Sequence, residues 1–198
     1  MRKLALALLT LLACAGTATA STIKYVAVMN GANEAPPNAS PGTGIAYVTI
    51  DDVLNTMLIE ASFAGLTTPN TNAHIHCCTA SPFTGTAGVA TTTPTFTDFP
   101  SGTTSGIYTH LFDLTLATSW NPAFVTAHGG TTAGAEADFL AGMATGRTYF
   151  NIHTTQFGGG EIRGFLQPVP EPATLTLVGL GAAALVRKRF NKKSSPVR

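Results

Sequence analysis

Asn72-Ala73-His74-Ile75-His76-Cys77-Cys78 places two histidines one residue apart. Far downstream, Tyr149-Phe150-Asn151-Ile152-His153-Thr154 answers it, followed by Gly160-Glu161-Ile162-Arg163-Gly164. Alternate side chains of a strand share one face, so His74 and His76 project together while Ile75 points the other way. By the same rule His153 lines up with Asn151 and Tyr149, and Glu161 with Arg163. These stretches hold three of the five histidines in a chain otherwise rich in Thr, Gly and Ala. They propose one polar, histidine-rich face on a β scaffold.

The neighbouring sequence reads the same way. Residues 22–30 (Thr-Ile-Lys-Tyr-Val-Ala-Val-Met-Asn) are β-branched and aromatic with no helical period, which predicts a first strand. Gly31-Ala32-Asn33-Glu34-Ala35-Pro36-Pro37 interrupts it, because two prolines remove donors and force an extended path. Residues 44–50 and 54–63 are predicted strands around Asp51-Asp52-Val53, a hairpin connection. Residues 106–116 alternate well and put Tyr108, His110, Phe112 and Leu114 on the core side. There His110 is expected to be a hydrogen-bonded structural histidine. Residues 133–145 carry Ala135, Phe139 and Met143 at helical spacing before Gly146 and form the one convincing helix. Residues 147–154 and 161–166 are the last two strands. Many short strands with one minor helix predict an all-β fold, an antiparallel β-sandwich or barrel of immunoglobulin-like size. Residues 79–106 form a long Thr/Gly/Pro-rich segment with Phe83, Phe96 and Phe99 along it. It is either a surface loop pinned by its phenylalanines or a lid over the histidine face.

Both ends are legible as processing signals. Met1-Arg2-Lys3, a short apolar run and Ala18-Thr19-Ala20 make residues 1–20 a secretory signal peptide, too short in its apolar part to span a membrane comfortably. At the other end Pro170-Glu171-Pro172 precedes an apolar run, residues 173–186, that stops at Arg187-Lys188-Arg189. Residues 169–190 thus read as a hydrophobic sorting helix, transiently anchored in the membrane with the body of the protein outside, and residues 191–198 as a basic tail. The domain between, residues 21–168, keeps three basic and nine acidic side chains, a net charge of −6. Nucleic-acid binding, which needs Lys and Arg to neutralise phosphates, does not suit it.

The chemistry on offer is narrow. His74, His76 and His153 from neighbouring strands would make a three-nitrogen site for zinc or copper, with Glu161 as a fourth ligand or as a group orienting a histidine. The alternative is a closed cluster bonded to Asn151, Glu161 or backbone groups. His128, in a turn-like stretch, is a weaker ligand candidate. Glu161 and Arg163 suit either ligand binding or an ion pair fastening the last strand, and the fastener reading is preferred. Cys77 and Cys78 are the only thiols of residues 21–168. They could join each other at a local turn, pair between molecules or bind metal. No nucleophile elbow, phosphate-binding glycine loop or His-Glu-x-x-His motif is present.

The C-terminal arrangement resembles the PEP-CTERM signal of Gram-negative bacteria. That resemblance implies cleavage by an exosortase, after signal peptidase has acted at the other end, and delivery to the cell surface or matrix. Asn33-Glu34-Ala35-Pro36-Pro37, Ala73-His74-Ile75-His76, the 146–154 stretch and Gly160-Glu161-Ile162-Arg163-Gly164 together resemble the CHRD domain, named after the repeats of chordin. The resemblance spans residues 25–167 and implies an all-β extracellular domain; Glu34, Asn151 and Arg163 are expected to form a structural or ligand-binding network. Cys77-Cys78 departs from it, since many members have glycine after the second histidine.

Three readings of function follow. The first is a non-enzymatic surface or matrix module that binds a matrix polysaccharide or a surface protein. The second is a metal-binding protein or metalloenzyme using the His-x-His strand. Its histidine spacing is similar to the copper ligands of copper–zinc superoxide dismutases, whose further ligand pattern is absent. The third is a carbohydrate-binding domain, which would need Trp120, Tyr108 or the loop phenylalanines exposed.

Overall fold

The computed structural model describes residues 22–170, so the expected signal peptide and most of the sorting segment lie outside the described residues. Among the described residues there are eight strands: β1 (Thr22–Asn30), β2 (Thr43–Asp51), β3 (Thr56–Ala64), β4 (Asn70–His76), β5 (Gly106–Asp113), β6 (Tyr149–Thr154), β7 (Ile162–Phe165) and β8 (Gln167–Pro168). All pairings are antiparallel, in the order β4-β6-β7-β1-β2-β3-β5, with β8 also on β1. The all-β antiparallel expectation holds, in its barrel-like form. The strands make one continuous sheet curled into a half-barrel. No helix among the described residues is long and apolar enough to cross a membrane.

The longest ladder runs through β1, β2 and β3, where each strand is nine residues long and burial alternates from Tyr25, Ala46 and Met57 onward. Tyr25, Ala27 and Met29 of β1 meet Val48, Ala46 and the small Gly44 of β2. These side chains are buried, while Val28 on the opposite face is exposed. The β2–β3 turn is held by Asp51, whose carboxylate accepts from the backbone N–H groups of Val53 and Leu54. Aspartate favours turns because it can accept in this way from its own backbone.

A half-barrel leaves one side open, and the long 79–105 segment closes it. Phe96 is 1% exposed. Its ring packs against Tyr108 and Phe112 of β5, one end of the sheet order, and against Phe150 of β6, next to the other end. Phe99 stacks on Phe63 of β3. The same segment also pairs along the free edge of β4, where Thr91 and Thr95 hydroxyls accept from the Ile75 and Ala73 N–H groups. Both expected roles are therefore combined, since Phe96 and Phe99, though not Phe83, pin the segment inside while its backbone carbonyls at Ala87 and Pro94 lie over the histidines.

Two helices complete the core. The predicted 133–145 helix is α2 (Thr132–Ala144), capped by the Thr131 hydroxyl. A second helix, α1 (Pro122–Ala127), was not expected from the sequence. Its signal is Asn121 at the N-cap followed by Pro122 at the first position. Strand β5 stops at Asp113, short of residue 116, because Asp113 turns the chain by accepting from Thr115. His110 is half-buried between Tyr108 and Phe112 and lies 3.8 Å from Asp98. Trp120, Tyr108, Phe96 and Phe99 are all buried, so they form no exposed aromatic platform, and Phe83 alone of the loop phenylalanines is exposed.

Phe96→Ala tests the closure. Truncating a buried phenylalanine costs about 3–5 kcal/mol, so thermal unfolding should fall by many degrees, whereas Phe83→Ala should leave it nearly unchanged. Equal, small effects would mean that the segment is not part of the core.

Candidate metal centre

Strand pairing assembles the site. His74 of β4 faces Asn151 of β6, His76 faces Tyr149, and Asn72 faces His153. Across the next pairing Asn151 faces Arg163 and Tyr149 faces Phe165 of β7. All these side chains stand on the face opposite Ala73, Ile75, Phe150 and Ile152, which are fully buried in the core. The expected polar face is therefore present and runs across three strands.

The three imidazoles come together. Their ring centroids lie 5.3–5.9 Å apart, and one nitrogen from each lies within 4.8 Å of the others. Each ring spends one nitrogen on a backbone carbonyl. His74 Nε2 bonds Pro94, His76 Nδ1 bonds Ala87 at 2.9 Å and His153 Nδ1 bonds Gly158 at 3.0 Å. A carbonyl only accepts, so that nitrogen carries the proton. The remaining nitrogens, His74 Nδ1, His76 Nε2 and His153 Nε2, are buried without a partner. Burial pulls His74 and His76 down to about 4 from the usual 6.5. The same cause lowers His153. At neutral pH all three are neutral rings with a bare lone pair, the form a transition metal takes.

These distances fit a metal. Three nitrogens at ~2.1 Å from zinc or copper stand about 3.4 Å from one another in a tetrahedral site. Binding would draw the rings inward by little more than an ångström. The carbonyls do the orienting that a carboxylate does in many metal sites. Such partners are invisible in sequence, because every residue has a carbonyl.

The other candidates sit elsewhere. Glu161 does not join the cluster. One of its oxygens accepts from the Ser40 hydroxyl at 2.5 Å and the Thr67 N–H at 2.6 Å. Burial raises its pKa, but these bonds outweigh that and hold it below the usual carboxylate value. Arg163 pairs with Glu34, at 3.8 Å, and not with Glu161. The guanidinium is 4% exposed and donates to the carbonyls of Asn33 and Gly85. It is the internal fastener expected, with a different partner. His128 is bonded to Asp138 at 2.7 Å, on the helices. Cys77 and Cys78 are joined to each other by a disulfide packed on Gly142 of α2.

A layer of aromatic and charged groups backs the histidines. Tyr149 lies flat on His76, with centroids 4.7 Å apart and planes 5° apart. Arg163 sits over the Tyr149 ring at 4.8 Å. Asn151 Nδ2 donates to Glu34 at 2.9 Å. Burial pushes the Glu34 carboxyl up to about 7, against the opposing pull of Arg163 and Asn151. Gly160, at φ 130°, passes so close that a Cβ there would stand 2.5 Å from the Asn151 amide. Beyond Arg163 the face opens into a cleft of about 840 Å³ lined by Val28, Pro36, Phe83, Phe165 and Glu34.

With this geometry in place, the family comparison is decisive, because the CHRD domain matches residues 25–166. The chain belongs to the CHRD domain family. The PEP-CTERM protein-sorting motif matches residues 168–189, covering Pro170-Glu171-Pro172 and Arg187-Lys188-Arg189. This motif implies exosortase processing and export to the cell envelope of a Gram-negative bacterium. No curated protein and no solved structure matches this CHRD chain.

The lowered histidine pKa values set a pH dependence. An unfolded ring takes up its proton near 6.5, the folded His74 and His76 only near 4. Stability of the metal-free CHRD domain should therefore be lost as pH falls from about 6.5 towards 4. A ring-resonance titration by NMR should place both midpoints near 4. Midpoints near 6.5 would mean solvated imidazoles and no closed site.

Proposed function

We propose that this exported CHRD protein is a non-enzymatic, metal-binding module of the cell surface or extracellular matrix, holding zinc or copper through His74, His76 and His153. The observation that carries this reading is the set of three buried ring nitrogens left without partners, each on a ring fixed by a backbone carbonyl. A closed hydrogen-bonded cluster would use both nitrogens of each ring. Leaving a buried acceptor unpaired costs roughly 1–3 kcal/mol, and one metal ion answers all three at once. The all-nitrogen donor set suits zinc and copper over magnesium or calcium, which take oxygen ligands. A matrix polysaccharide or a surface protein would meet the same face at the cleft beside Arg163, where Phe83 offers an exposed ring.

Metal content of the exported, processed protein, purified without chelators or a histidine tag, tests the reading. About one equivalent of zinc or copper is expected, lost in His74→Ala/His76→Ala. At metal one hundred times above its dissociation constant, the loaded protein should gain about 2.7 kcal/mol over the stripped one. No uptake on reconstitution would sink the metal reading. Redox turnover by the loaded protein would replace the non-enzymatic reading with a metalloenzyme.

A further inference from the structure

Three histidines leave a metal ion short of its usual four ligands, and the face offers a fourth polar group that none of the histidines uses. Asn151 is 1% exposed. It faces His74 across the β4–β6 pairing and stands two residues before His153 on the same face of β6. Its Nδ2 donates to Glu34 Oε1 at 2.9 Å, so that end of the amide is taken. Oδ1 is thereby turned away from Glu34, and it is buried without a partner. The unpaired histidine nitrogens and this unpaired oxygen sit on adjacent strand positions of one face.

We propose that Asn151 forms the polar wall of the metal's fourth position, its Oδ1 accepting a hydrogen bond from a water molecule bound there, so that the site exchanges a small ligand at that position. This inference rests on the metal-binding reading. Direct ligation by Oδ1 is less favourable, because the amide is already held towards Glu34 on the β7 side. A metal-bound water is a strong donor, and an amide oxygen is a good acceptor for it.

Copper(II)-loaded full-length protein provides the test, with azide as the probe ligand, followed by its charge-transfer absorption. Azide has no proton to donate, so it must displace the water and face the Oδ1 lone pairs. Asn151→Ala should tighten azide binding about tenfold, the worth of one strong hydrogen bond. Asn151→Asp, with a charged acceptor, should weaken it. Electron–nuclear double resonance on the wild-type protein should show strongly coupled, solvent-exchangeable protons from the bound water, a reading that needs no variant to fold. Copper held equally by wild type and Asn151→Ala with unchanged azide affinity would overturn this inference alone. Absence of exchangeable protons in the wild type would overturn it in favour of direct ligation by Asn151. A wild-type protein that takes up no copper would remove the metal reading and this inference together.

Discussion

Everything at the histidine cluster depends on the antiparallel pairing of β4 with β6. It sets His76 against Tyr149, His74 against Asn151 and Asn72 against His153, so histidines nearly 80 positions apart in sequence share one face. A one-residue slip would turn every one of these side chains into the core and bring Phe150 and Ile152 out. The buried pairs Ala73–Ile152 and Ile75–Phe150 prevent that slip, because their inward alternation admits only this register. The hydrophobic side of the two strands thus fixes the geometry of the polar side. Phe96 adds to it, since its contact with Phe150 ties β6 to the far edge of the half-barrel.

The polar face is an unusual place to bury so much. Glu34, His74, His76, Asn151 and Arg163 are all buried, in a domain with only three basic residues. Burying a charge is expensive unless it is paired and hydrogen-bonded. Arg163 meets that condition through Glu34 and two carbonyls, and it also stacks on Tyr149. Tyr149 in turn covers His76 and bonds the Ala87 carbonyl that holds the same ring. The fastener and the histidine cluster are therefore mechanically one unit. Removing Arg163 would loosen His76 without touching it.

Alternation in the sequence was enough to place His74, His76 and His153 on one face and to set β1 at its observed ends. It failed where a partner has no distinctive side chain or comes from a distant loop. The carbonyls of Ala87, Pro94 and Gly158 belong to residues with nothing to mark them as partners. Glu34 lies beyond the first strand, in a Pro-rich turn, and nothing local links it to Arg163, its partner 129 positions on. Glu161 looked like a ligand because it alternates with Arg163. The strand β7 begins only at Ile162, and Glu161 instead reaches Ser40 and Thr67 in the loops. Phe96 was seen, but its bridge between β5 and β6 depends on the curl of the sheet, which periodicity does not encode. The N-cap pair Asn121-Pro122, which marks α1, is a local signal that the sequence reading missed.

The order of events during export follows from the same contacts. His74 and His76 lie early in the domain and His153 late, and the carbonyls that orient them come from the segment between. A partly translocated chain holds only part of this set. The three-nitrogen site therefore exists only after β6 has paired with β4, which requires nearly the whole domain. Metal affinity of a site absent from the unfolded chain is folding free energy. On the proposed reading, the ion is taken up by a folded domain in the compartment where that domain is displayed, and it then holds β4 and β6 in register. On the same reading, the stability of the exported module is linked to the metal available in that compartment.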